Sequence, residues 1–190
     1  LGDIVRDWSI AVDEQIYFPY VYGQGKTSVG GLEQELWSWR ALLAERATFQ
    51  GRMADAGLQW WEYMQFTKAP YLTPLSIAFA FVATHNHFVL DRGGKVFKQS
   101  APVIKLPAEA TEDDHLALLG ILNSSTACFW LKQNSHNKGS TVDTKGARQT
   151  QVAWENFYEF TGTTLQDFPL SDPLPLTRGR LIDSLAQDLA

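Results

Sequence analysis

Between Pro74 and Leu106 the apolar residues come in runs too short for independent helices, and turn formers close each run. Residues 76–83 and 87–90 are rich in Phe, Val and other strand formers, with Thr84-His85-Asn86 between them. Asp91-Arg92-Gly93-Gly94 then offers residues that tolerate the backbone of a tight reversal, and residues 95–97 and 102–106 are further extended pieces. Strands joined by connections this short pair antiparallel, because a parallel crossover needs a dozen residues or more. The stretch predicts a curled, mostly antiparallel sheet.

Helices are expected on either side of it, giving an α+β fold of sheet and packed helices. Thr111 is a good N-cap, and Glu112, Asp113 and Asp114 suit the positive end of a helix carrying Leu116, Leu119 and Leu122. Asn123-Ser124-Ser125 interrupts or recaps that helix, and residues 127–131 add another apolar helical turn or two. Leu32, Leu36, Trp39 and Leu43 recur at helical spacing, so residues 32–48 predict a helix. Before it, residues 8–12 and 16–21 read as an antiparallel pair. Residues 134–151 are polar and nearly without apolar anchors, which predicts a long surface loop. Structure resumes at 154–160. After Pro169, Pro173 and Pro175, Thr177 is placed to cap a last helix whose Leu181, Ile182, Leu185 and Leu189 need a packing partner, one that could lie in another domain. The expected organisation is a linking segment at 1–30, a main domain at 31–175 and a C-terminal helix at 176–190.

Composition excludes several classes. With 45% hydrophobic and 13% aromatic residues the chain can bury a core. Its longest apolar stretches fall far short of a membrane span, and no basic start precedes an apolar stretch with a cleavage site. The single cysteine, Cys128, makes neither an internal disulfide nor a thiolate zinc cluster. A cytoplasmic protein is the expectation.

Net charge is −5, but the basic residues are gathered. Residues 92–105 hold Arg92, Lys95, Lys98 and Lys105 without an acid, and residues 132–148 hold Lys132, Lys138, Lys145 and Arg148 against Asp143 alone. Lysines and hydroxyls such as Ser140 suit phosphate contacts, whereas Asn137, Gln149 and Arg148 can pair with base edges. The composition serves a DNA-binding loop and a soluble insertion about equally, and the first island is also an ordinary charged hairpin end. Elsewhere the candidates thin out. His85 and His87 share a face of an extended segment without a strong third ligand, and a structural histidine is the simpler account of His85. Cys128 sits among apolar residues, Ser124 and Ser125 at a helix break, and Asp113 and Asp114 at a cap. No catalytic, metal or cofactor site is expected in this chain.

Longer runs carry a resemblance. The stretch from Pro74 through Phe97, continuing in Ala101-Pro102-Val103-Ile104-Lys105-Leu106-Pro107, resembles the PglX family of adenine-specific DNA methyltransferases of type 2 BREX phage-exclusion systems. So do residues 118–133, His136-Asn137-Lys138-Gly139-Ser140-Thr141 and Phe157-Tyr158-Glu159-Phe160-Thr161-Gly162-Thr163. The likeness covers about residues 30–175 and points to the C-terminal target-recognition region. Trp61-Glu62, Leu122-Asn123-Ser124 and Phe168-Pro169-Leu170 resemble the elements that precede, follow and close such a module. The resemblance implies a target-recognition-domain-like fold and a parent enzyme that moves a methyl group from S-adenosylmethionine to N6 of a flipped adenine. The chain lacks the Asn-Pro-Pro-Tyr/Phe tetrapeptide and the glycine-rich cofactor loop of that chemistry. What carries over is therefore recognition of double-stranded DNA, with methyl transfer left to an upstream methyltransferase domain. Arg92, Lys95, Lys98, Lys132, Asn137, Lys138, Ser140, Lys145, Arg148 and Gln149 are the candidate DNA ligands, from charge and placement. The alternative is a module that docks other phage-defence proteins through its acidic, tryptophan-rich body. A small hydrolytic enzyme using His85 or His136 is a third, weaker reading.

Overall fold

The computed structural model describes residues 5, 6, 8–10, 12, 15–21, 23, 24, 26–28, 30–139, 147 and 156–189. In chain order the strands and helices begin with β1 (Val5–Arg6), β2 (Ser9–Ile10), β3 (Tyr20–Val21), β4 (Lys26–Thr27), α1 (Leu32–Leu36), α2 (Arg40–Ala44), β5 (Ala47–Thr48) and β6 (Gly51–Arg52). They continue with β7 (Ser76–Phe79), β8 (Val82–Ala83), β9 (Phe88–Asp91), β10 (Val103–Ile104), α3 (Glu112–Leu122), α4 (Ser125–Asn134), β11 (His136–Gly139), β12 (Phe157–Glu159), α5 (Gly162–Gln166) and α6 (Leu176–Leu189). The mixture of helices and small antiparallel sheets is the expected α+β fold. Contacts divide the chain into two compact units, Leu1–Asp13 with Leu75–Ala190, and Glu14–Pro74.

The first unit is built on β7. Its neighbours are β10 and β9, both antiparallel, with Ser76 opposite Asp91 and Phe79 opposite Phe88. Alternation along these strands explains why both are buried throughout. Ile77, Phe79, Phe88 and Leu90 join Leu116, Leu119, Leu122, Leu131, Phe160 and Phe168 in the main core. Ala78 and Val89 belong to a second cluster with Val5 and Ala101. A sheet covered on both faces reads as continuous apolar sequence, as residues 76–80 do.

Residues 76–83 are not one strand. Phe81 N–H donates to the Ser100 carbonyl and Phe160 N–H to the Phe81 carbonyl, and β8 pairs with β12 in another sheet, of order β11-β12-β8. The expected single curled sheet is therefore two three-stranded sheets among the described residues of this unit. Residues 95–97 form no strand. At the other end of the unit, β1 and β2 pair with each other, and Trp8 lies in their turn at φ 59° rather than in a strand. Among the described residues, the expected pairing of 8–12 with 16–21 does not form: Ser9 and Ile10 pair with β1, and Tyr20 and Val21 with β4.

The helices follow their caps. Thr111 and Asp114 make a reciprocal capping box for α3, and Ser124 Oγ accepts from Ala127 N–H to start α4. Asn123 closes one helix and clamps the sheet in the same move. Its Nδ2 donates to the Phe88 carbonyl (2.8 Å) and its Oδ1 accepts from Phe88 N–H (3.0 Å).

The last helix, α6, packs on α3 of this chain. Its buried side is not the leucine stripe. Leu181 and Leu185 are exposed, whereas Gly179 and Asp183 are buried. A Cβ at Gly179 would lie 1.8 Å from the Leu116 carbonyl oxygen, and one at Gly120 2.7 Å from that of Pro175. Backbone meets backbone at this crossing, which only glycine permits. Thr177 falls inside the helix instead of capping it.

The second unit is held by aromatic rings. Phe18, Tyr20, Tyr63, Phe66 and Tyr71 pack together, with Tyr20 and Phe66 stacked at 3.8 Å between centroids. The expected 32–48 helix is broken: a 3-10 turn at Trp37–Trp39 separates α1 from α2, and Trp39 sits at φ −100°, ψ 1°. Trp and Ser are modest helix formers, and no core face rewards continuity here, since α2 has no buried residue. Residues 47 and 48 have left the helix for β5.

Candidate nucleic-acid interface

Arg92 follows β9, at the end of the strand where Asp91 faces Ser76. Its guanidinium is already engaged. Nη2 donates to Asp183 Oδ2 (2.7 Å) and Glu112 Oε1 (2.6 Å), Nη1 to Asp183 Oδ1 (3.3 Å) and Nε to Glu112 Oε1 (3.1 Å). The fork ties β9 to α3 and α6, and Asp183 above all pushes the Arg92 pKa up, against the opposing effect of burial. Lys95 Nζ donates to Asp91 Oδ1 at 2.8 Å, and that carboxylate is fully buried. Lys105 Nζ donates to the Leu75 carbonyl, and burial lowers its pKa. Lys98 is exposed and, among the described residues, has no ion-pair partner.

The second island lies elsewhere in the same unit. Lys132, on α4, holds its ammonium 5.4 Å from the centre of the Tyr158 ring. Lys138 pairs with Glu159. Asn137 Oδ1 accepts from Gly139 N–H (2.7 Å), beside a register shift in the β11–β12 ladder. Glu159, the partner of Lys138, faces Val82, whereas Asp91 beside Arg92 faces Ser76, so Lys138 and Arg92 attach at different ends of the 76–83 path. Ser140, Lys145, Arg148 and Gln149 lie outside the described residues.

The histidines have structural surroundings. His85 and His87 rings lie 4.2 Å apart, Trp8 packs 5.1 Å from His87, and Thr84 Oγ1 is 2.9 Å from His85 Nδ1. Among the described residues no three His, Cys, Asp or Glu side chains are gathered to hold a metal. Cys128 is a partly buried free thiol. Among the described residues no helix is long and apolar enough to cross a membrane.

One feature of the second unit was hidden by the helical reading of 32–48. Ala47 pairs with Arg52 and Thr48 with Gly51, leaving Phe49-Gln50 as a two-residue hairpin tip. Phe49 is 92% exposed, far more than any other large apolar residue described. Beneath it, Gln50 N–H donates to Thr48 Oγ1 (3.1 Å), Thr48 Oγ1 donates to the Gly51 carbonyl (3.1 Å), and Arg52 N–H donates to Asp55 Oδ2 (2.9 Å). Arg46 donates to the Leu43, Trp60 and Glu62 carbonyls, each at 2.8 Å, and burial lowers its pKa. A cleft of about 480 Å³ opens beside the ring, lined by Arg46, Thr48, Tyr63, Met64 and Gln65 among others. The available sequence signal was Thr48-Phe49-Gln50-Gly51, a turn glycine directly after the apolar period fails.

The motifs noted in the sequence have structural explanations. Leu122 is core, Asn123 clamps β9 and Ser124 caps α4. Glu62 is buried and accepts from Gln59 N–H, while Phe168 packs edge-on against Trp130 at 5.3 Å. No family model matches the chain. It is 48% identical, over 197 residues, to the adenine-specific methyltransferase PglX of Streptomyces coelicolor. That match takes in 100% of this chain and 16% of the relative, so the chain spans about a sixth of the length of that protein. Along its entire length, and not only over residues 30–175, the chain resembles one segment of PglX.

Proposed function

We propose that this chain is the DNA target-recognition module of a site-specific adenine-N6 DNA methyltransferase of phage defence. Methyl transfer from S-adenosylmethionine would fall to a catalytic domain elsewhere in the protein. The observation that carries the reading is full-length similarity to a sixth of an adenine-specific methyltransferase, in a chain without the Asn-Pro-Pro-Tyr/Phe or glycine-rich cofactor motifs. Recognition needs a rigid platform, because base readout depends on side chains held in register with the duplex. The sheet-and-helix layer of β7, β9, α3 and α6 is such a platform.

Beside it, Lys98 and Lys132 supply phosphate contacts and Asn137 an amide for a base edge. Arg92, Lys95 and Lys138 stay in the assignment as cations whose carboxylate partners, Asp183 and Glu112, Asp91, and Glu159, compete with the phosphate. Ser140, Lys145, Arg148 and Gln149 complete it on sequence grounds. The test is retention of a randomised duplex pool by the purified chain at low salt, with sequencing of what is retained. Enrichment of a short motif supports autonomous readout. Salt-sensitive retention without enrichment reduces the chain to a backbone grip, and no retention removes the reading.

A second reading has its own support. Arg92, Lys95 and Lys138 are paired with carboxylates, and Trp37 and Trp39 are exposed. A docking module within a phage-defence complex fits those facts, and predicts partner binding that charge reversal at the basic residues leaves unchanged.

A further inference from the structure

We propose that the 47–52 hairpin is a wedge, with the Phe49 ring entering the base stack of duplex DNA and the Gln50 amide meeting a base edge. The inference rests on the DNA-recognition reading and adds to it a site outside both basic islands. Three observations support it.

The ring has no task in the fold. It is 92% exposed on a strand pair that makes its own hydrogen bonds without it. The tip is nevertheless held in shape by Thr48 Oγ1, by Asp55 and by Arg46 at its root. Gly51 lies at φ 115° with Asp55 Oδ2 only 2.8 Å from where a Cβ would stand, so this shape admits no other residue without strain. An apolar ring presented this rigidly is prepared for a partner.

The partner is indicated by what surrounds the ring. A two-stranded ribbon is thin enough for a DNA groove. Apolar side chains inserted between base steps are a standard means of prising a duplex open, and an aromatic face stacks on any base. Gln50, beside it, carries the donor and acceptor that match the adenine edge. Arg52 stands one ladder pair behind the tip with its side chain 67% exposed, and among the described residues its ion-pair partner is Glu45, itself 60% exposed. So open an ion pair yields readily to a phosphate. The cleft next to the ring is lined by Arg46, Thr48, Tyr63, Met64 and Gln65, a mixture of polar and aromatic groups suited to a base more than to an apolar helix.

The experiment uses the full chain, short duplexes of random sequence, and the same duplexes carrying one abasic site. Wild type, Phe49→Ala and Phe49→Trp are titrated across a salt series. The wedge predicts that Phe49→Ala binds intact duplex about tenfold to a hundredfold more weakly, with an unchanged salt slope, because no phosphate contact is lost. Phe49→Trp retains affinity, and wild type prefers the abasic duplex, whose stack is already open. Equal, salt-dependent binding by wild type and Phe49→Ala overturns the wedge and leaves DNA recognition standing. No binding by any variant overturns both.

Discussion

The α3–α6 crossing and the 47–52 hairpin use their residues in opposite ways. At the crossing, everything is consumed by the fold: Gly120 and Gly179 let two backbones touch, and Arg92 spends its whole fork on Glu112 and Asp183. At the hairpin, the backbone is equally well held, yet the side chain at the tip touches solvent on nearly every side. Order without packing is the more informative of the two. A basic residue in a loop attracts a functional reading by its charge, but the charge here is often answered from within. An exposed phenyl ring on a braced turn has no such internal account.

That contrast can be broken at several points. The largest effect is expected from Gly179→Ala, whose methyl group would strike the Leu116 carbonyl. A loss of about 3 kcal/mol or more in urea unfolding is predicted, and a loss below about 1 kcal/mol would mean that the crossing relaxes easily. Next comes Asn123→Ala, which strips Phe88 of both its side-chain partners. About 2–3 kcal/mol should disappear, on the same assay, as the cost of stranded backbone groups.

Arg92→Ala leaves the mostly buried Asp183 without its guanidinium. Since Arg92 is itself 40% exposed, the loss is set at about 1–2 kcal/mol, in the range of hydrogen bonds to charged groups. Arg92→Lys should restore only part of it, because an ammonium cannot reproduce the fork. DNA binding that falls further than stability does would return Arg92 to the interface.

A smaller change, about 1 kcal/mol, is expected for Thr111→Ala at the cap of α3. It carries a pH signature. The Thr111 side-chain bond, then its backbone bond, holds the Asp114 carboxyl below its ordinary range. A depressed carboxyl stabilises the fold above its unfolded pKa and loses that contribution as pH falls through the folded value. Stability profiles of wild type and Asp114→Asn should therefore differ at neutral pH and converge in acid; parallel profiles would remove the capping carboxylate from the account. Smallest of all is Phe49→Ala, which should leave unfolding unchanged within about 0.5 kcal/mol. A substantial loss there would show that the ring is packed after all, and the contrast with the crossing would dissolve.

What the sequence made legible was local. Thr111 with its three following acids announced α3, and Ser124 announced the restart, because a cap is written within a few residues. The strands β7 and β9 were visible through their short apolar runs and the turn formers between them, although the break before β8 was not. What stayed hidden depended on distance or on competition. Asp183 lies 91 positions from Arg92, so nothing near Arg92 could show that its charge was answered. The leucines of α6 suggested a buried stripe, but a glycine crossing can bring a neighbouring face inward and leave them wet. Residues 32–48 kept a helical period past the point where the unit had any core to offer it.

Asn123 has a further consequence. The N–H and C=O that it takes up belong to Phe88, on a strand flanked on one side by β7 and on the other by no strand among those described. A bare row of such groups invites any extended peptide to add itself to the sheet. One amide, borrowed from the end of a helix, stands in for the missing strand at that position. Removing it would do more than lower stability, since the mutant would offer Phe88 as a place for copies of the chain to join edge to edge. Concentration-dependent assembly of Asn123→Ala, with wild type remaining dispersed, is the outward sign of that repair.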